Sequence, residues 1–391
     1  MTAAPLIYVV AVERSGDLLG AALMRSLQTK TGGEVRFAGI GGRAMAEEGV
    51  ASAIDISDLA IFGWIDGLMA YKRVKAAVAA SVEDILRVKP DAVVLIDSWG
   101  YTLRVAQGVR QADPSIRLIK YVGPQVFATR PGRAATLAAT VDRLLTILDF
   151  DAPYYEAHGL PVTFVGNPTL ERLEAGDGTA FRARHAIPAG APVLTVLFGS
   201  RTSEIRRMFG PFARAVARLR QRYPGLSIVI PIADPVEADL RARLENERCF
   251  NGAVLVEETE KADAFAAADA ALACSGTVVT ELATAGVPTV TSYRLGWITW
   301  ALARTFNLMK AKYISLVNIS ADAELVPELV QTRATGANLA EAVGALMDDA
   351  GRRETLSRKL IETTARMRGD GKASDRAADA VLETLDGSTG Q

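Results

Sequence analysis

Two short polar turns in this chain carry the residue types that hold a phosphate. In Asp269–Arg294, DAALACSGTVVTELATAGVPTVTSYR, the apolar run Ala270–Cys274 stops at Ser275-Gly276-Thr277, and a helix-like segment restarts at Val278. Free backbone N–H groups at a helix start attract anions, so Ser275, Gly276 and Thr277 make a turn suited to phosphate. Glu281 follows about one helical turn on, where its carboxylate can face a ribose hydroxyl. The same residues also read as a plain helix start, with Ser275 and Thr277 as caps and Glu281 as a first-turn charge favoured by the helix dipole. The second turn is Gly199-Ser200-Arg201, between the strand-like run Val193–Phe198 and a long helical pattern from Thr202. Backbone N–H groups, a hydroxyl and a guanidinium converge there, and arginine clamps phosphate with two parallel hydrogen bonds. A surface arginine in a capped turn is the alternative. Two such turns in one half of the chain fit a diphosphate held by one domain.

The acids that could do proton chemistry lie in the other half. Asp97 directly follows Val93-Val94-Leu95-Ile96. A carboxylate at the carboxyl end of a buried strand loses solvent, which raises its pKa toward the range useful to a general base. With Ser98 and Gly100 after it, Asp97 also fits an Asx turn or a helix cap. Glu13 and Asp17 close the first strand-like run, Leu6–Val12, and line the same edge; Asp17 fits an N-cap equally well.

Such residues need elements that bring strand ends together, and the patterning supplies them. Runs at Leu6–Val12, Ala92–Ile96, Arg117–Val122, Arg143–Leu148 and Val162–Val165 read as strands in the first half, and Val193–Phe198, Leu226–Ile230, Ala253–Val256, Ala270–Cys274 and Thr289–Tyr293 in the second. Helical patterns alternate with them. From Thr202 to Tyr223, apolar Ile205, Met208, Phe209, Phe212, Val216 and Leu219 form one stripe, while Arg206, Arg207, Arg214 and Arg218 face water. The alternation predicts two parallel, doubly wound α/β sheets with a boundary near residues 168–190 and a ligand cleft between the domains. Further helices start near Arg352 and Ala373.

Size and composition agree. A chain of 391 residues passes the ~250 to 300 at which one core stops growing, so two domains are expected. Apolar residues make up 49% and charged ones 23%, with no run near the ~20 residues of a membrane span and no signal-peptide pattern, which predicts a cytoplasmic protein. A net charge of −1 argues against general nucleic-acid binding. Cys249, Cys274, His158 and His185 are too scattered for a metal site or a disulfide framework, and Cys274 reads as buried filler. Walker, metalloprotease and nucleophile-elbow motifs are absent, and Gly39-Ile40-Gly41-Gly42-Arg43-Ala44 follows too weak a strand to be a dinucleotide fingerprint. Ala60–Met69, AIFGWIDGLM, followed by Tyr71-Lys72-Arg73-Val74-Lys75, has the makeup of an interfacial segment, or of a buried helix with a basic end. Trp297 and Trp300 make a second apolar patch with the same two readings.

Together these motifs resemble the lipid-A-disaccharide synthase family over nearly the whole chain. Its Gly-Glu-Ala-Ser-Gly-Asp signature is similar to Val12-Glu13-Arg14-Ser15-Gly16-Asp17, its Gly-Ile-Asp to Leu95-Ile96-Asp97, and its Tyr-Val-Ser-Pro-Ser-Val to Tyr121-Val122-Gly123-Pro124-Gln125-Val126. In the second half the match runs through Gly199-Ser200-Arg201 with Glu204, Ser275-Gly276-Thr277 with Glu281, Tyr293-Arg294, and Leu316-Val317-Asn318 followed by Glu324–Leu329. Departures are Val12 and Arg14 in the first signature, Asn167 where the family has His in Gly-His-Pro, and Phe127-Ala128-Thr129 for Trp-Ala-Trp.

The resemblance implies a GT-B fold: residues 1–170 as an acceptor- and lipid-binding Rossmann-like domain, 171–350 as a UDP-sugar domain, and 351–391 as helices packing back on the first. It implies an inverting glycosyltransferase of lipopolysaccharide synthesis that joins UDP-2,3-diacylglucosamine to 2,3-diacylglucosamine 1-phosphate. Asp97, with Glu13, would be catalytic; Ser15, Asp17, Ser200, Arg201, Glu204, Ser275, Gly276, Thr277, Glu281, Arg294 and Asn318 would bind substrate; Phe62, Trp64, Ile65, Leu68 and Met69 would meet acyl chains or membrane. No metal or cofactor is implied. The partners would be a UDP-sugar, an acylated glucosamine phosphate and, for a peripheral protein, the inner-membrane surface of a Gram-negative bacterium, with a homodimer as an option. Two alternatives stay open: a GT-B paralogue acting on another lipid or sugar acceptor, and a catalytically silent UDP-sugar- or lipid-binding protein.

Overall fold

Continuous apolar runs such as AVVLI, VLTVL and AALAC become central strands buried on both faces, as parallel sheets require. The computed structural model describes residues 4–52, 54, 67–296 and 312–387. It holds two six-stranded, all-parallel sheets. The first comprises β1 (Leu6–Val10), β2 (Arg36–Ile40), β3 (Ala92–Ile96), β4 (Arg117–Tyr121), β5 (Arg143–Thr146) and β6 (Val162–Phe164), in the order β2-β1-β3-β4-β5-β6. The second comprises β7 (Val193–Leu197), β8 (Ser227–Pro231), β9 (Val254–Val256), β10 (Ala270–Cys274), β11 (Thr289–Tyr293) and β12 (Glu328–Val330), in the order β12-β11-β10-β7-β8-β9. The doubly wound α/β architecture is the one expected.

Each sheet reverses its winding beside its first strand. In the first sheet the reversal falls between β1 and β3, and in the second between β7 and β10. Diverging crossovers leave a crevice outside the carboxyl ends of the strands at such a point, where ligands of open α/β sheets bind.

The chain divides into two compact units, Met1–Pro168 with Gly369–Gln391, and Thr169–Arg368. In the second, the helix Thr202–Arg222 buries the anticipated stripe, and Phe198 stacks on Phe209 at 5.4 Å between ring centroids. The C-terminal pair is split rather than kept together. Helix Ala350–Arg368 belongs to the second unit, where Leu360 and Met367 pack with Leu282 and Val317. Helix Ala373–Leu385 belongs to the first, where Ala377, Ala378 and Val381 share a core with Leu23, Met24 and Leu27. Polar contacts lock it there: Ser26 Oγ donates to Asp375 Oδ1 at 2.7 Å, and Lys30 pairs with Asp379 at 2.7 Å.

The loose glycine pattern at Gly39 has a packing explanation. Gly39 pairs with Val9, and a Cβ there would lie 2.2 Å from the Val9 carbonyl oxygen. The helix after it, Arg43–Glu47, has only five residues. Among the described residues no helix is long and apolar enough to cross a membrane. Phe62, Trp64, Ile65, Trp297 and Trp300 lie outside the described residues. Leu68 and Met69 fall in the helix Gly67–Val88, described there in backbone only.

Candidate functional site

At the reversal point of the first sheet, Glu13 follows β1 and Asp97 follows β3. Ser98 ties them together, its Oγ donating to Glu13 Oε1 at 2.6 Å. Asp97 and Ser98 both adopt left-handed backbone, with φ +46° and +45°. Each such non-glycine residue costs on the order of 1–3 kcal/mol, so the turn persists only because neighbours hold it. Asp97 N–H donates to the Tyr121 carbonyl at 2.9 Å, and Thr102 Oγ1 donates to the Asp97 carbonyl at 2.7 Å. Ser98, not Asp97, is the N-cap of helix Trp99–Ala112, and it makes no side-chain cap bond. The Asp97 carboxylate is half-buried and accepts no hydrogen bond among the described residues. Neither the Asx turn nor the cap therefore explains it. Ser15 lies exposed on the first turn of the helix Arg14–Lys30, beside Glu13.

Beneath this turn lies a residue that sequence reasoning missed. Lys120 on β4 is 2% exposed, and its Nζ donates to Thr102 Oγ1 at 2.7 Å and to the Asp97 carbonyl. Burial pushes its ammonium down to about 7, with the charges of Asp97 and Glu13 pulling the other way. The available signal was a lysine inside an otherwise buried strand, RLIKY.

Asp17 does different work from that assigned to it. It is 5% exposed, and its carboxylate accepts from the N–H groups of Gly42 (2.8 Å), Ala44 (2.8 Å) and Met45 (3.1 Å). Both oxygens take part in capping the helix Arg43–Glu47, so Asp17 fixes the backbone at this edge of the sheet.

At the reversal point of the second sheet is a cavity of about 410 Å³. The anticipated turns form two of its walls, Gly199-Ser200-Arg201 after β7 and Ser275-Gly276-Thr277 after β10, with Glu204 and Glu281 beside them. The helix Thr277–Thr284 starts at Gly276 with no side-chain cap bond, so Ser275 and Thr277 are not caps; the Ser275 N–H is spent on the Ser292 carbonyl at 3.0 Å, and the N–H groups that follow it stay open to an anion. The first turn is arranged otherwise than expected. Glu204, 7% exposed, accepts from Ser200 N–H at 3.1 Å and from Arg201 Nη1 at 3.1 Å. The Ser200 N–H is thereby committed, and Gly199, at φ +97°, suits the left-handed turn and leaves room for the Glu204 carboxylate, since a Cβ there would fall 2.4 Å from Oε2. Arg201 keeps 76% of its side chain in solvent and supplies the cation at the mouth.

Two parts of this cavity were not anticipated. Lys261 pairs with Glu281 at 2.8 Å and also with Glu258, so the presumed ribose acid sits in a small charged network. Pro231-Ile232-Ala233, after β8, closes another wall. Cys274 is buried, and burial together with Glu204 pushes its thiol up to about 12, so it fills space as expected and does not serve as a thiolate.

Two further assignments change. Arg294 does not line this cavity; its Nη2 donates to the Ala334 carbonyl at 2.6 Å, and it borders a different one. Asn318 is fully buried, donating from Nδ2 to the Val326 carbonyl (2.7 Å) and Glu328 Oε1 (2.9 Å) while Oδ1 accepts from Val326 N–H (2.9 Å). It braces the approach to β12. Asn318→Ala strands those buried partners and should lower stability by about 2–3 kcal/mol in urea unfolding. Unchanged stability would remove the brace. Among the described residues no three His, Cys, Asp or Glu side chains cluster as a metal site would need.

Comparison with known proteins gives this geometry a lineage. Residues 7–381 match the model of the family described as Lipid-A-disaccharide synthetase. The lipid-A-disaccharide synthase of Rhodospirillum centenum is 42% identical over 382 residues, covering 97% of this chain and 94% of that protein. Its counterpart in Paramagnetospirillum magneticum is 38% identical over 384 residues, covering 97% of each. Among solved structures, the S. aureus MnaA–UDP co-structure superposes with a TM-score of 0.64 at 13% identity, covering 99% of this chain and 98% of that one. The spinosyn rhamnosyltransferase SpnG superposes at 0.52 and 14% identity, covering 98% and 100%. The structural likenesses establish the two-sheet GT-B fold, and the sequence matches go further: the chain belongs to the lipid-A-disaccharide synthase family of glycosyltransferases.

Proposed function

We propose that this chain joins UDP-2,3-diacylglucosamine to 2,3-diacylglucosamine 1-phosphate, giving the β-1,6-linked disaccharide 1-phosphate and UDP. Asp97 takes the proton from the acceptor's 6-hydroxyl as that oxygen attacks the donor's anomeric carbon. The bond from that carbon to the diphosphate oxygen breaks with inversion, and UDP leaves with the electron pair. Glu13, held by Ser98, orients the acceptor beside Asp97, with Ser15 at the rim. The open N–H groups of Gly276 and Thr277, the Ser275 hydroxyl and the guanidinium of Arg201 steady the leaving diphosphate, and Glu281 meets the ribose. Glu204 tethers Arg201 until the diphosphate takes its place. The observation that carries this reading is the cavity at the β7–β10 reversal point, where the uncapped helix start at Gly276-Thr277 offers backbone donors and Arg201 an exposed guanidinium to an anion.

We place the reaction at the cytoplasmic face of the inner membrane. The apolar, aromatic sequence Ala60–Met69 and the cations Lys72, Arg73 and Lys75 support a peripheral contact with acyl chains and anionic lipid.

Incubation with both acylated substrates, followed by mass spectrometry for the disaccharide and for UDP, tests the reading. Absence of product, where a relative with an intact first signature makes it, would sink it. Arg201→Ala should lower kcat about 100-fold, the scale on which a preorganised donor to a developing charge acts. An unchanged kcat would take Arg201 out of the leaving-group site.

A further inference from the structure

The second unit has another cavity, also of about 410 Å³, at the carboxyl ends of β11 and β12 and sharing no lining residue with the first. Arg206, Arg207 and Arg294 line it, together with Leu295, Gln331 and Thr332. No carboxylate lines it among the described residues, and neither Arg206 nor Arg207 has an ion-pair partner there. Arg294 Nε is buried with no hydrogen-bond acceptor among the described residues, although Nη2 reaches the Ala334 carbonyl. Burial and the like charge of Arg214 both push Arg294 below its ordinary value. Three guanidinium groups therefore line one cavity with no compensating acid among its described lining residues, and Arg294, partly desolvated, bears a cost that an anion would relieve. Gln331 adds to the pattern. It holds left-handed backbone at φ +53°, its Oε1 accepts from Leu295 N–H at 3.0 Å, and its amide donors have no partner among the described residues. Strain of this kind in a non-glycine residue collects at ligand sites.

We propose that this cavity is a second anion site, built for a phosphate group carried either by a free phosphate ester or by the headgroup of an anionic phospholipid. Arginine forks match phosphate oxygens bidentately, and the carboxyl edge of a parallel sheet is where such ligands sit. The site is independent of the reaction assigned to Asp97 and of the Gly199–Thr277 cleft. It gives the second unit a phosphate contact of its own.

The test compares full-length protein with the double variant R206A/R207A, whose altered residues lie on the helix Thr202–Arg222 outside its buried stripe. Inorganic phosphate is titrated in thermal unfolding, and vesicles of phosphatidylglycerol are set against phosphatidylcholine in flotation. A Tm rise with inorganic phosphate in the wild type that the variant lacks supports the site and identifies a soluble ester. Selective flotation with phosphatidylglycerol, weakened about 100-fold in the variant with no response to free phosphate, supports it and identifies a headgroup. Equal responses of the two proteins in both assays overturn it. Far-UV circular dichroism checks that the variant is folded, and Arg207→Gln, which keeps the aliphatic stem, repeats the comparison if it is not.

Discussion

Asp97→Ala is expected to lower kcat about 1000-fold, within the 10²–10⁴ that a positioned general base supplies. Binding of UDP should stay within about twofold of wild type, because the residues assigned to the diphosphate belong to the other unit. Stability should fall only modestly: the Asp97 carboxylate makes no hydrogen bond among the described residues, and what is lost is its charge beside the buried Lys120 and an aspartate's tolerance of left-handed backbone. Asp97→Asn is the sharper variant, since asparagine tolerates left-handed backbone and keeps the side-chain shape while losing basicity. Single-turnover rates with both acylated substrates decide the matter. Near-normal rates for either variant would move the base elsewhere, with Glu13 next in line.

The second large effect concerns stability against pH, through Lys120. Below about 7 its amine is protonated in the folded and the unfolded chain alike, and the folded state bears the cost of burying a charge. Between about 7 and the ordinary lysine value of 10.5, the unfolded chain holds a proton that the folded chain has shed. Stability from this group therefore climbs as pH rises through that window and is lost again as pH falls back to 7. At about 1.4 kcal/mol per pKa unit the span is on the order of 5 kcal/mol. Lys120→Met removes the group, so its unfolding free energy should lack that climb when urea unfolding is followed in steps across the window. Parallel curves for wild type and variant would show that Lys120 is not the responsible group. The same substitution also takes the donor from the Asp97 carbonyl, so kcat should fall with little change in KM as the left-handed turn loosens.

Much of the framework was legible because buried parallel strands are written as unbroken apolar runs. AVVLI, VLTVL and AALAC show this, and the polar residues ending them mark the carboxyl edge where Asp97, Ser200 and Ser275 stand. β2 and β12 were harder to read, since RFAGI carries a charge and a glycine and ELV is three residues long. What stayed hidden is non-local. Asp17 caps a helix whose N-terminus lies 25 residues away. Lys120 lies under Asp97 because β4 pairs with β3 in a register that sets Leu95 beside Lys120. The pairing of Glu281 with Lys261 and the closing of the Asn318 amide on Val326 and Glu328 likewise depend on how separate segments meet. Composition names such residues as polar. Only tertiary neighbours decide whether they face a ligand or hold the backbone.

The division of the chain into an interrupted first unit and a continuous second one has a consequence for biosynthesis. Helix Ala373–Leu385, which covers part of the core built by Leu23, Leu27, Ile119 and Leu145, is translated only after the whole of Thr169–Arg368. At ~5–20 residues per second the ribosome spends roughly 10–40 s on that insert. During this interval the nascent first unit lacks the contacts that Ala377, Ala378 and Val381 make with its core, so that core is completed only as translation ends.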